Sequence, residues 1–314
     1  KENLYYCDLS SLRTGEHTLK AVLICCKSKE QLFVSEAPLM VLERDPLNSV
    51  GVDNILRFGG EKEFPLGFMH VTWKTPDSAR ISAVDFMRKV GMGTILFTDR
   101  RSEGDPNFEA FINYAHQHGV KLCLAGPLPE KNYPAVTGYS IADEPDSRSV
   151  PKPVLMEKRR KLRKKAFDLF SNVVIMARSG FTDGYLRCAD LIGHDPYPLP
   201  KAPITMVYHN MRELVKKLDG TSHLPFAVPQ AFGYEGHAFF RVPTPAEIRN
   251  MTYQALVAGS RGIIFYTYMD SGFDLNKHPA LYDEMLKLPK EIRDLESFFI
   301  DGRFEEITTG EKDV

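Results

Sequence analysis

The sequence predicts an α/β protein: a (β/α)8 TIM barrel preceded by a partial small β-sandwich. Three observations predict it. From Pro65 onward, short apolar runs alternate with amphipathic stretches of helical period. Eight such runs fit into about 235 residues, the size of one barrel. A doubly wound open sheet would carry a Gly-rich turn after its first strand, and none is present. Gly91-Met92-Gly93 falls between helix and strand, the wrong side for a dinucleotide fingerprint.

The elements follow in order. Residues 1–45 read as β: Leu19–Cys25 and Gln31–Val34 are short apolar or alternating runs separated by Lys27-Ser28-Lys29-Glu30. They are too few to bury a core alone, which suits the later strands of a small sandwich. Residues 46–64 form a connector with a hairpin at Gly59-Gly60. The barrel occupies 65–300, with strands at Leu66–Trp73, Thr94–Thr98, Lys121–Ala125, Gly138–Ala142, Val173–Ala177, Leu191–His194, Phe226–Val228 and Gly262–Tyr268. Helices are expected at Pro76–Val90, Phe108–His118, Lys152–Phe170, Thr205–Leu218, Pro245–Ala258 and Pro279–Phe299. Thr244, Pro245 and Glu247 spell a capping box, and Gly259 a helix stop. Residues 301–314 read as the start of a further β module.

Bulk properties exclude several functions. Over 314 residues the formal net charge is -1, which gives no electrostatic reason to bind nucleic acid. The basic run Lys158–Lys165 reads as the solvated face of a helix, because Leu155, Leu162, Ala166 and Leu169 carry an apolar stripe through it. No window approaches the ~18 apolar residues of a membrane span. Five cysteines without CxxC spacing argue against a disulfide framework or zinc ribbon.

Chemistry in such a barrel sits at the carboxyl ends of the strands. The fourth strand runs directly into Asp143 and Glu144 and is stopped by Pro145. A residue before proline is biased to extended geometry, so Glu144 is expected at a strand's end in that geometry. The other strand ends offer His70, Trp73, Asp99, Asp195, Tyr197, Gln230, Phe232, Tyr234, Glu235, Tyr266, Tyr268 and Asp270. Aromatic rings among carboxylates and amides suit a ligand with flat apolar faces and many hydroxyls, a sugar. His70 and His194 beside Asp99 and Asp195 offer a metal site, but neither belongs to an HxH or HExxH pattern, and both read as structural. No cofactor is expected.

These residues are where a family becomes visible. Ile141-Ala142-Asp143-Glu144-Pro145 and His194-Asp195-Pro196-Tyr197-Pro198 resemble pieces of the clan A glycoside hydrolases. Asp8–Glu16, Phe64–Phe68, Arg241–Arg249 and Ala255–Gly262 resemble members that carry an immunoglobulin-like domain ahead of the barrel. The resemblance implies cleavage of an oligo- or polysaccharide, Glu144 as general acid/base, and an exported protein, extracellular or periplasmic. Two positions depart from it. Asp143 stands where Asn is usual, and Gln230 where a nucleophilic Glu is expected, so the retaining mechanism does not carry over intact. Asp195, Glu235 and Asp270 are the candidates for a second carboxylate, and Asp195 is preferred for its rigidity. The rival readings are a catalytically impaired carbohydrate-binding barrel and a metal-dependent hydrolase.

Overall fold

The computed structural model describes residues 11–41, 47–71, 77–93, 95–99, 106–126, 132–166, 168–175 and 185–302. The chain forms two compact units, residues 1–46 and 47–314.

In the first unit, β1 (Gly15–Ile24) and β2 (Gln31–Val41) pair as one antiparallel hairpin. Both strands are longer than their apolar runs suggest. Leu23, Ile24, Leu32 and Phe33 are exposed on this ribbon. A two-stranded sheet has no second layer in which to bury them, so the described residues make a hairpin rather than a sandwich.

The second unit opens with a small antiparallel sheet of β3 (Asn48–Val50), β4 (Leu56–Phe58) and β5 (Glu61–Glu63). Gly59 and Gly60 join β4 to β5 with φ of 58° and 92°, the two positive values that a tight two-residue hairpin turn demands. The expected connector is therefore folded into the larger unit.

Eight parallel strands follow: β6 (Leu66–Val71), β7 (Ile95–Asp99), β8 (Leu122–Ala125), β9 (Val136–Asp143), β10 (Phe170–Ile175), β11 (Leu191–His194), β12 (Leu224–Ala227) and β13 (Ile263–Met269). They curl into one sheet whose pairing runs β6 to β13 in sequence order and returns from β13 to β6. The seam between β12 and β13 is carried by the pair Ala227–Ile263 and, just past β12, by the parallel bridge Gln230–Tyr266.

Helices α1 (Asp77–Lys89), α2 (Pro106–Gln117), α3 (Lys152–Lys165), α4 (Met206–Leu218) and α5 (Pro245–Val257) pack outside the sheet. Between β8 and β9 no helix occurs among the described residues, and before β11 there is only a 3-10 turn at Tyr185–Arg187. The helix expected over 279–299 is three short ones: α6 (Pro279–Met285), α7 (Leu288–Asp294) and α8 (Glu296–Asp301). Pro289 explains the first break, since it lacks an N–H and its ring would strike the carbonyl of a continuous helix. The capping box of α5 forms: the Thr244 hydroxyl accepts from the Glu247 N–H, and the Glu247 carboxylate accepts from the Thr244 N–H.

Side chains alternate along each strand between two apolar clusters. Ile263 and Phe265 face the helices, and Ile264 faces the barrel interior with Met69, Cys123, Val174 and Leu191. Phe170 and Phe226 are the largest interior rings, and each fills the space a neighbouring side chain would need. A Cβ on Gly138 would fall within the Phe170 ring, and one on Gly193 within the Phe226 ring. Leu56 of β4 joins the interior cluster, with Val50 and Phe58 packed against it, so the small sheet plugs one end. Phe58 meets Phe170 edge-on at 6.1 Å. Function is left to the other end, where the strands terminate.

The basic run on α3 is mostly used structurally. Arg159 and Arg163 reach the buried Asp190 at 2.6 and 2.7 Å, Lys158 donates to the Ile141 carbonyl, and Arg160 pairs with Glu157. Burial pushes the Asp190 carboxyl up, but the two guanidiniums outweigh it and hold it well below the usual carboxylate range.

Candidate active site

Asp143 ends β9 and Glu144 follows it. Glu144 has a φ of +43°, a left-handed conformation rather than the extended geometry expected before Pro145. Hydrogen bonds hold this unusual turn. The Glu144 N–H donates to the Val174 carbonyl at 2.9 Å, and its own carbonyl accepts from the N–H groups of Ser147 and Arg148. The Ser147 hydroxyl reaches both the carbonyl and Oε2 of Glu144, at 3.1 and 3.2 Å. Left-handed backbone at a non-glycine costs about 1–3 kcal/mol and is kept where the surroundings over-determine it. Ser147 was legible three residues after Glu144 as a turn hydroxyl, and sequence reasoning passed over it.

Asp143 Oδ2 accepts from Arg148 at 3.0 Å in a partly exposed ion pair.

On the same interior face, β11 places Leu191, Gly193 and then Asp195. Asp195 is 7% exposed, its Oδ1 meets no hydrogen-bond partner, and it lies within electrostatic reach of Glu144. Burial first, and then the charges of Glu144 and Asp143, push the Asp195 carboxyl well above the ordinary range. Burial disfavours the charged form of Asp195, the form that a general base needs.

Beyond the acid pair stands a wall of rings. Tyr197 lies 5.0 Å from Phe232 and 5.9 Å from Tyr266, centroid to centroid. Phe232 also packs on Tyr234, Phe240 and Tyr266. Burial raises the phenols of Tyr197, Tyr234 and Tyr266, so all three are neutral donors. Tyr234 and Tyr266 donate to Asp270 Oδ2 at 2.7 and 3.0 Å. Asp270 Oδ1 accepts the N–H groups of Gly272 and Phe273. Asp270 is thus a hub with four donors, which fixes the tyrosines. A cavity of about 1020 Å³ opens on the far side of Tyr234 and Asp270.

Other candidates are placed differently. Gln230 is fully buried: its oxygen accepts from the Leu199 N–H, and its amide donates to the carbonyls of Leu199, Phe232 and Arg241. It staples three loop segments together and presents no donor to a ligand. Tyr268 faces the helix layer, packed on Phe68 and Phe86 and bonded to Asn276, because the strand's alternation turns it away from the mouth. Glu235 is exposed at the lip of the cavity, away from the acid pair's immediate contacts. His194 also faces outward, with Nδ1 at 2.8 Å from the Ile175 carbonyl. Burial lowers its pKa to about 4, so its imidazole is neutral. His70 and Asp99 lie at the carboxyl ends of β6 and β7 as backbone positions, and Trp73 lies outside the described residues. Among the described residues no group of three or more His, Cys, Asp and Glu is arranged to hold a metal. None of their helices is long and apolar enough to cross a membrane.

Comparison with known proteins adds the context of the fold. No family model matches the chain, and no curated protein matches it by sequence. Solved structures do match in shape. A GH2 β-galacturonidase from Eisenbergiella tayi aligns with a TM-score of 0.57 at 13% identity, over 88% of this chain and 58% of its own. A β-galactosidase from the psychrophilic Marinomonas ef1 gives 0.56 at 10%, over 73% and 60%. An endo-β-1,4-mannanase from Thermotoga petrophila gives 0.54 at 10%, over 80% and 79%. These neighbours are glycoside hydrolases. At such identities the likeness is one of fold: an α/β chain around a curled parallel sheet, shared with carbohydrate-active enzymes. The chain spans less than two thirds of the length of the first two.

Proposed function

We propose that the protein is a glycoside hydrolase built on a full (β/α)8 barrel, and that the Glu144–Asp195 pair is its proton donor. One observation carries this reading: Asp195, buried and with one carboxyl oxygen that meets no hydrogen-bond partner, lies within electrostatic reach of the partly exposed Glu144 on the rim where the strands end. A carboxylic acid that keeps its proton at neutral pH is what departure of a sugar alcohol requires. In the proposed step the pair gives its proton to the glycosidic oxygen as the bond from that oxygen to the anomeric carbon breaks. Water then adds hydroxide to that carbon, and its remaining proton returns to the pair. Tyr197, Phe232 and Tyr266 offer faces and hydroxyls for the ring.

Glu144→Gln should lower turnover of aryl glycosides or oligosaccharides by ~10²–10⁴, the usual share of general acid catalysis. Release of reducing sugar measures it, and unchanged turnover would remove Glu144 from the mechanism. NMR of the first-formed anomer assigns the stereochemistry.

A second reading has its own support. Gln230 is committed to backbone and Asp270 to four donors, so neither is free to act as a nucleophile. That favours a carbohydrate-binding barrel without hydrolysis, which would bind oligosaccharides in calorimetry and release no sugar.

A further inference from the structure

The cavity beyond Tyr234 and Asp270 is not needed for bond cleavage at Glu144, yet it is large and built. Its volume of about 1020 Å³ is at the top of the ~300–1,000 Å³ that holds a drug-sized ligand, more than one sugar ring fills. Its two sides carry matching ring stacks. His237 lies flat on Phe240, with centroids 5.4 Å apart and an interplanar angle of 7°. His278 lies flat on Phe273 at 4.7 Å and 6°. The base is rigid: Tyr234 packs so closely on Gly272 that a Cβ there would come within 2.9 Å of the ring. Tyr234 and Asp270 belong to both the cavity and the ring wall beside the acid pair, so the two spaces are adjacent.

The cavity's charges nearly cancel. Lys277 faces Asp274 at 3.9 Å, and Arg241 is bound by both oxygens of Glu247. Asp270 is held by its tyrosines, and Glu235 stands at the lip. Among the described lining residues two cations, Lys277 and Arg241, stand against three carboxylates, Glu235, Asp270 and Asp274, an acidic balance that disfavours a carboxylate or sulfate on a sugar. Planar stacks with neutralised polar groups suit an uncharged sugar ring, which offers apolar faces and hydroxyl edges.

We propose that this cavity is an extended subsite for uncharged sugar units, so that the ligand is a neutral oligosaccharide chain rather than a single sugar. The proposal rests on the carbohydrate reading above and adds chain length and charge to it. The test is calorimetric titration of the unmodified protein with gluco-, galacto-, manno- and xylo-oligosaccharides of graded length, and with uronate-containing oligosaccharides. In at least one neutral series, affinity should rise about tenfold or more from monosaccharide to trisaccharide. His237→Ala and His278→Ala, on opposite sides of the cavity, should each reduce that rise while leaving monosaccharide affinity unchanged. Equal affinity for short and long chains would overturn the subsite but leave the carbohydrate reading standing. Tighter binding of the uronate series would overturn its neutrality. Absence of binding to any sugar would overturn the carbohydrate reading itself.

Discussion

Asp195 carries the most consequential single-residue property in this molecule. A raised carboxylate pKa means that folding is penalised wherever the unfolded chain would ionise. The penalty is absent below the unfolded pKa and grows as pH rises towards the folded one. Asp195→Asn removes the penalty and should stabilise the protein by about 0.5–2 kcal/mol, a typical scale for relieving a functional compromise. The gain should be visible in melting temperature at pH 8 and vanish near pH 4. In turnover, the unmodified protein should lose activity on the alkaline side as Asp195 ionises, and the Asn variant should show a displaced alkaline limb. A melting curve that shifts equally at both pH values would contradict a proton held by Asp195. Asp190 has the opposite sign. Its depressed pKa gives stability that is present above the unfolded value and lost as pH falls. Asp190→Asn should cost about 3–5 kcal/mol at neutral pH by stranding Arg159 and Arg163, and less in acid, as denaturant titration would record.

At the level of elements, the strands are specified by which interior positions are vacant. Gly193 on β11 exists to receive Phe226 of β12, just as Gly138 on β9 receives Phe170 of β10. Gly193→Ala should therefore destabilise by ~1–3 kcal/mol through overpacking, and urea midpoints should fall with the slope unchanged. The apolar runs and helical stripes made the order of strands and helices legible, and the Thr244–Glu247 box marked the start of α5 to the residue. What was not legible came from tertiary geometry. Tyr268 belongs to an apolar run, and a run does not say which of its members face inward. The broken helix after Pro279 could have been read from Pro289. The left-handed turn at Glu144 could not, because it is imposed by Ser147, Arg148 and Val174 together against the local bias of Pro145.

For the whole molecule, the position of Glu144 at a strand end was readable, and so was the aromatic and acidic character of the rim. Its division of labour was not. Gln230 looked like a ligand group and became a staple, and Asp143 is paired with Arg148. Asp195 was already named as a second carboxylate, but its burial comes from the assembled sheet, since α3, β10, a 3-10 turn and β11 separate it from Glu144 in sequence.

The meander of β3–β5, with Leu56 pushed into the barrel floor, has a consequence for traffic. With that base occupied by side chains, any approach to the interior face of the curled sheet is from the opposite rim, where Glu144 stands.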